Sequence, residues 1–407
     1  MAASLPRLRL NLDFMPSPVE DRPGLMIRDP YQFSDITLIV PPALVPCLEC
    51  FDGEQTDLDM RQVLVRTTGQ LDVSDVGTHL TQALSESGFL EDETFGRMRE
   101  DRQRAFEQSP VREPVHAGSG YPDEIGELRS TLDNYMGPAG EPSPAKIIGI
   151  AAPHVSPFGG WECYQSAYRS LAQSLSPADK DRTFVVLGTS HYGEPDRFGL
   201  TRKPFRTPFG DAPTEVQLVD ELAAAGGIGA QMEDYCHAVE HSIEFQIVFL
   251  QYLFGPDVRI LPILCGSYAR SLYQGGLPED HEPVARFVGA LGNMAAREGD
   301  RLCWILGIDM AHMGRRYNDP YAALANQDRM VAVAERDHKR IDSMNAGDAR
   351  GFWDQVRENR DDLKWCGASP VYTFLKALPH ARGSLLRYQQ WNIDPESIVS
   401  FAGMRFA

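Results

Sequence analysis

The 407-residue sequence is short of positive charge, of long apolar runs and of cysteine, and each shortage removes a class of function. Lysine and arginine number 39 against 57 aspartates and glutamates, a formal charge of −18. Nucleic acid and anionic membrane surfaces both require a basic face, so neither is an expected partner. No apolar stretch reaches the ~20 residues that span a bilayer. The start, "MAASLPRLRLNLDF", alternates leucine with arginine, asparagine and aspartate, and so lacks the apolar core of a secretory signal. Seven scattered cysteines fit reduced thiols better than a disulfide framework. These features together lead us to expect a cytoplasmic protein. No fixed-period repeat is visible, and the length suffices for two or three domains with a large core.

Residues 1–27 hold several prolines and little periodicity, and read as an extended arm. A small, mainly helical domain is expected over residues 28–107. Within it "SDITLIVPP" reads as one short strand. "ALVPCLECFDG", "TDLDMRQVLVRTTG" and "DVGTHLTQALSESGFL" read as short helices stopped by glycine or turns, and "EDETFGRMREDRQRAF" as a charged helix. The Asp-Gly turn and following helix in "ECFDGEQTDLDMRQVL" resemble the small peptide-binding domains that accompany radical enzymes. Cys47 and Cys50 form a C-x-x-C pair, but no second pair follows at zinc-site spacing, and it reads as incidental. "EQSPVREPVHAGSGYP" is rich in turn residues, so residues 108–145 read as a linker and lead-in segment.

Over residues 146–407 strands and helices alternate. "KIIGIAAPH", "RTFVVLGTSHYG", "VRILPILCG" and "RLCWILGIDMAH" are continuously apolar strands. "WECYQSAYRSLAQSL", "HSIEFQIVFLQYLFG" and "EPVARFVGALGNMAARE" are the helices between them. Such a pattern implies an α/β fold, a mostly parallel sheet with helices on both faces. "GSLLRYQQWN" and "SIVSFAGMRFA" read as two further strands, antiparallel at an edge.

Three of these strands end in side chains that carry chemistry. His154 follows the first, His191 the second, and Asp309 with His312 the fourth. In open α/β sheets, ligands sit outside the carboxyl ends of the strands. Adjacent parallel strands lie ~5 Å apart, so two strand-end imidazoles can share one ion. Two histidines are an incomplete set, and Asp309, Glu240, Glu244 and Cys366 are candidates for the third ligand. Cys366 precedes a glycine and an apolar helix, where a helix dipole favours thiolate. "HAVEH", from His237 to His241, spells H-x-x-E-H, which on one helix would offer two imidazoles to zinc. Alternatively His241 begins a helix capped by Ser242, and Glu240 and His241 project into the crevice as acid/base groups.

Six segments in this order, "HAGSGYP", "IIGIAAPHVSPFGG", "VVLGTSHYG", "VEHSIEFQ", "GIDMAHMG" and "WCGASPVYTFL", resemble the Memo family, known in bacteria and archaea as protein B of the AmmeMemoRadiSam system. The resemblance implies a fold similar to class III extradiol, non-heme iron dioxygenases. It implies metal ligation by His154, His191 and Cys366, with Asp309, His312, His241 and Glu240 as acid/base or orienting groups around the ion. Asp309 is expected to orient His312. By family association, radical SAM and AMMECR1-type proteins are partners, and the substrate is a small molecule or peptide. The family's usual His-Ala-Gly-Ser-Trp-Tyr carries Gly120 here in place of tryptophan, its usual Ala-Pro-His-Ala-Gly reads Ala-Pro-His-Val-Ser, and Tyr192 stands where a second histidine is usual.

A soft thiolate with two imidazoles favours Fe(II) first, copper second and zinc third. The expected function is therefore that of a non-heme metalloprotein, a dioxygenase-like redox enzyme. The two other readings are a peptide-binding module with a structural metal, and a zinc hydrolase built on the His237/His241 pair.

Overall fold

The structure, a computed structural model, describes residues 4–138, 140–141, 146–175 and 182–407. Its chain forms two compact units, Met1–Ser109 and Pro110–Ala407.

In the first unit, strands β1 (Asp13–Pro16), β2 (Leu25–Arg28) and β3 (Thr37–Val40) form an antiparallel sheet in that order. A 3-10 segment over Pro42–Cys50 leads to helices α1 (Asp57–Thr68), α2 (Ser74–Glu86) and α3 (Glu93–Gln108). Helix α1 starts in a capping box of Thr56 and Asp59 and stops at Gly69 with φ +71°. The stretch read from sequence as an arm supplies β1 and the start of β2. Its Leu5 and Leu12 are buried with Ile27 in the unit's core. Arg9 is buried too, and donates to the Asp29 carboxylate at 3.0 Å and to the Gly88 carbonyl at 2.8 Å. Two four-residue strands are too short to show a period, and a buried arginine gives no apolar signal. Cys47 and Cys50 are buried free thiols, and burial raises the pKa of both, that of Cys47 to about 11.

The second unit begins within the segment read as a linker. Helix α4 (Ile125–Met136) buries Leu128, Leu132 and Met136, and Arg112 and Tyr121 are buried as well. Residues 139 and 142–145 of that segment lie outside the described residues. The elements that follow, in chain order, are β4 (Gly149–Ala152), α5 (Pro157–Ser174), β5 (Thr183–Thr189), β6 (Phe198–Leu200) and the hairpin β7 (Phe205–Thr207) and β8 (Gly210–Ala212). Next come α6 (Val216–Gly226), β9 (Ala230–Met232), α7 (Cys236–Val239), α8 (Glu244–Phe254), β10 (Arg259–Cys265), α9 (Ala269–Gln274) and α10 (Glu282–Glu298). The last are β11 (Leu302–Gly307), β12 (His312–Gly314), α11 (Arg329–Ala346), α12 (Ala349–Arg357), α13 (Ala368–Ala377), β13 (Gly383–Asp394) and β14 (Ser397–Phe406).

The main sheet runs β12-β14-β4-β11-β5-β10-β6-β9, with β13 paired to β14. Its centre, β4-β11-β5-β10, is parallel, and antiparallel strands flank it. The parallel strands alternate between two cores. Val185 and Leu187 of β5 face one side with α6, α10 and α13, while Phe184 and Val186 face the other with α4, α5 and α8. The fold is thus α/β with a mostly parallel central sheet between helical layers, as the apolar strands imply. The C-terminal hairpin differs from its expected edge position. Strand β14 lies inside the sheet, between β12 and β4.

A candidate metal centre at the carboxyl edge of the sheet

The strands carrying His154 and His191 are not neighbours. Strand β11 lies between β4 and β5, and it delivers Asp309 to the same edge. The two imidazoles meet across it, with ring centroids 5.0 Å apart. Donor atoms of His154, His191 and Cys366 all lie within 4.8 Å of one another. Cys366 Sγ is 3.2 Å from His154 Nε2.

The other nitrogen of each imidazole is already in use. His154 Nδ1 lies 2.9 Å from the Gly307 carbonyl, which can only accept, so Nδ1 keeps its proton and Nε2, paired with Cys366 in the metal-free protein, is the nitrogen an ion would take. His191 Nδ1 lies 3.0 Å from Glu240 Oε1, which fixes the same tautomer. Cys366 sits one residue before Gly367, the N-cap of α13. A Cβ on Gly367 would lie 2.6 Å from Ile308 Cβ and 2.7 Å from the Asp309 carbonyl, so glycine lets the cysteine approach the sheet. Its amide also donates to the Asp309 carbonyl at 3.1 Å.

The electrostatics favour a thiolate. Burial alone would raise the Cys366 pKa, but the imidazoles of His154 and His312, with hydrogen bonds from His154 and His191, lower it to about 5. Conversely, burial would lower His154, while Asp309 and Cys366 raise it to about 9. Burial opposes protonation of His191 too, but Glu240 and Cys366 hold its pKa well above the ordinary value. A thiolate among imidazoles whose Nε2 atoms turn inward is a donor set that fits a borderline or soft transition metal.

The remaining predicted residues take distinct places. Asp309 does not orient His312. Its Oδ1 accepts the His154 backbone N–H at 3.0 Å, and its Oδ2 lies 3.6 Å from His154 Nε2. His312 Nδ1 instead lies 3.0 Å from the Met310 carbonyl and 3.1 Å from that of Lys364. Its ring stands edge-on to Tyr317, 4.9 Å between centroids. His241 stacks on His191 at 5.0 Å, and burial with the neighbouring imidazoles holds its pKa well below the ordinary value against the pull of Glu240. Glu240 is buried and held anionic by His191 and His241 against its desolvation. It also forms a second group of possible ligands with His191 and His241.

Three further expectations are corrected. The H-x-x-E-H segment is not one helix, because α7 ends at Val239, Glu240 is extended, and α8 starts only at Glu244. His237 lies buried, edge-on to Phe205 at 5.9 Å, and belongs to neither group of possible ligands among the described residues. Ser242 caps no helix, since its hydroxyl donates to the Thr189 carbonyl at 2.8 Å. Nor is Glu244 a ligand. Its carboxylate is taken by Arg112, by the Tyr121 hydroxyl at 2.5 Å and by the His116 amide at 3.0 Å. Tyr317 has no sequence signal, as it ends a single 3-10 turn, Arg315–Tyr317, with no spacing relation to the other residues.

A family model described as "Memo-like protein" matches residues 112–405. The chain belongs to the Memo family. Proteins described as MEMO1 family members are similar to it along much of its length. One from Aquifex aeolicus is 26% identical over 386 residues, covering 94% of this chain and 95% of its own. One from Thermococcus kodakarensis is 30% identical over 310 residues, covering 73% of this chain and 99% of its own. The Memo model therefore falls within the second unit, whereas the Aquifex relative extends into the first. At Gly120, where the Memo pattern usually has tryptophan, a Cβ would lie 2.8 Å from the Phe245 ring. Phe245 fills the space beside the glycine. Tyr192 keeps its ring beside His191, 6.1 Å between centroids.

Proposed function

We propose that this Memo protein is a metal-dependent redox enzyme of dioxygenase-like character, with an ion held by His154, His191 and Cys366. The observation that supports it is the convergence of these three donors, within 4.8 Å, with both imidazoles fixed in the ligating tautomer. Iron is the first choice, copper the second and zinc the third, from the mixed nitrogen and sulfur donors. When bound, iron or copper would supply redox chemistry at a position that three protein ligands leave open, whereas zinc, which has no redox change, would leave only a polarising role. The protein's own groups hold the protons. His241 is held neutral beside His191, so a proton it takes up is readily passed on. Asp309 stands 3.6 Å from the ligating nitrogen of His154 and balances the charge there. The test is anaerobic purification with metal quantification, followed by Fe(II) reconstitution and oxygen-uptake measurement with added small-molecule reductants. About one ion per chain and metal-dependent uptake support the reading. A protein that takes up no iron or copper overturns it.

A further inference from the structure

We infer that Asp337, a fully buried carboxylate on α11, is a positioning residue that ties Cys366 to the loop from Asp309 to His312. The inference rests on the ligand set proposed above, since it says what keeps the thiol ligand in register with that set. Asp337 belongs to neither group of possible ligands among the described residues. It accepts three hydrogen bonds, from Trp365 Nε1 at 2.7 Å, from the Tyr388 hydroxyl at 2.7 Å and from Ser400 Oγ at 2.6 Å. Two of these donors lead directly to the centre.

The first arm runs through Trp365, the residue before Cys366. Its amide donates to Asp361 at 2.8 Å, and the Arg340 guanidinium lies 5.1 Å from its ring centroid. Turning the indole breaks the bond to Asp337, and Cys366 is the next residue along the chain. Thr189 Oγ1 donates to the Cys366 carbonyl at 3.0 Å, so the cysteine is held from the sheet as well. The second arm runs through Ser400 on β14. Its hydroxyl gives its one proton to Asp337, which leaves its lone pairs to the Ala311 amide at 2.8 Å. The Met310 amide donates to the Ser400 carbonyl at 2.8 Å, and the Ser400 amide to the Ala311 carbonyl at 2.9 Å. The loop so held begins at Asp309, whose Oδ1 accepts the His154 amide.

The joint needs a carboxylate. The Trp365 N–H can only donate, so an asparagine would turn its carbonyl to the indole and its NH₂ to the two hydroxyls. The protons of Ser400 and Tyr388 would then lose their acceptor. All three donors are neutral. Arg340, whose charge acts on Asp337, spends its hydrogen bonds on Asp361 at 2.8 Å and the Gln355 carbonyl at 3.2 Å. Burial accordingly raises the Asp337 pKa. A buried anion is costly. A fully bonded buried network, in return, fixes one arrangement of the segments it joins.

The test is a Co(II) titration of the full chain, read by the thiolate-to-metal absorption band in the near ultraviolet. Asp337→Asn should weaken Co(II) about 10-fold, the lower end for a group that orients ligands, and should shift or weaken the band. Ser400→Ala and Trp365→Phe each cut one arm and should each lose part of that affinity, and they decide the matter if Asp337→Asn does not fold. His237→Ala loses stability outside this network and should change neither readout. Unchanged affinity and band in the folded variants, or an equal loss in His237→Ala, overturns the inference. Alkylation of Cys366 by iodoacetamide at pH 8 is measured in parallel on the metal-free proteins. It should be about 3-fold faster or more in each folded network variant, because the thiol is held less closely. An unchanged rate overturns the inference whether or not metal binds. A wild type that takes up no Co(II), with faster alkylation in the variants, sinks the proposed centre alone. A wild type that binds Co(II), with variants that behave like it, sinks the role of Asp337 alone.

Discussion

Glu240 takes both the backbone amide and the imidazole of a single residue, His191, at 2.8 and 3.0 Å. The amides of His241 and Ser242 also donate to it, at 2.9 and 3.2 Å. A carboxylate can accept all four donors, whereas the amide of glutamine must turn an NH₂ toward one of them. Glu240→Gln should therefore loosen the His191 ring and weaken metal binding about 10–100-fold, the usual cost of losing such an orienting partner. Competition against a chelator of known affinity measures it. An unchanged dissociation constant would remove Glu240 from the positioning role.

Cys366 should titrate as a thiolate far below an ordinary cysteine. With its pKa lowered to about 5 in the metal-free protein, the reactive form persists above that pH and is lost as pH falls through it. The other six cysteines are buried, so alkylation by iodoacetamide reports on Cys366. The rate should be flat from pH 8 to 6 and fall near 5. His154→Ala removes the imidazole that lowers the pKa most, so the fall should move to higher pH. An inflection near 9 in the wild type would mean that the imidazoles do not stabilise the thiolate.

How much of this was legible in the sequence differs from element to element. The four parallel strands announced themselves as apolar runs, and His154, His191 and Asp309 each sit just past the end of one, whereas Cys366, Glu240 and His241 come from helix ends. The order of those strands was hidden. Nothing in the local sequence says that β11 inserts between β4 and β5, because sheet order is set by crossovers tens of residues long. The helix start at Glu244 was hidden too. Glu240 ties down the amides of His241 and Ser242, so the chain there serves the site before it turns helical. Tertiary bonding overrode an apolar periodicity that ran on without a break. Residues such as Glu244 looked like ligands because a carboxylate in a motif has the same letter whether it faces an ion or a buried arginine.

That buried pair supplies a stability prediction. Arg112 and Glu244 are both 0% exposed, and the guanidinium also donates to the carbonyls of His237 at 2.8 Å and Glu240 at 2.7 Å. Arg112→Met leaves a carboxylate buried without its cation, which costs about 3–5 kcal/mol. The double variant with Glu244→Gln removes the orphaned charge and should recover part of the loss. Denaturant unfolding followed by tryptophan fluorescence reads this out, since all five tryptophans lie in the second unit. A single variant as stable as wild type would mean that water or another group neutralises Glu244.

The ligand set is separated from its neighbours by comparing four variants. His154→Ala and Cys366→Ser each remove a donor whose partner atoms lie within 4.8 Å, and should abolish stoichiometric metal. His237→Ala removes an imidazole packed on Phe205 and outside that group, and should keep the metal while losing some stability from the cavity it leaves. Asp309→Asn is the sharpest case. Its carboxylate is 3.6 Å from His154 Nε2 but outside the group, and Asn can still accept the His154 amide through its carbonyl oxygen. Metal should be mostly retained in it while any redox activity falls, because the negative charge beside His154 is gone. Metal analysis after dialysis gives the four values. Loss of metal in Asp309→Asn would make Asp309 a ligand, and loss in His237→Ala with retention in Cys366→Ser would restore the zinc-hydrolase arrangement.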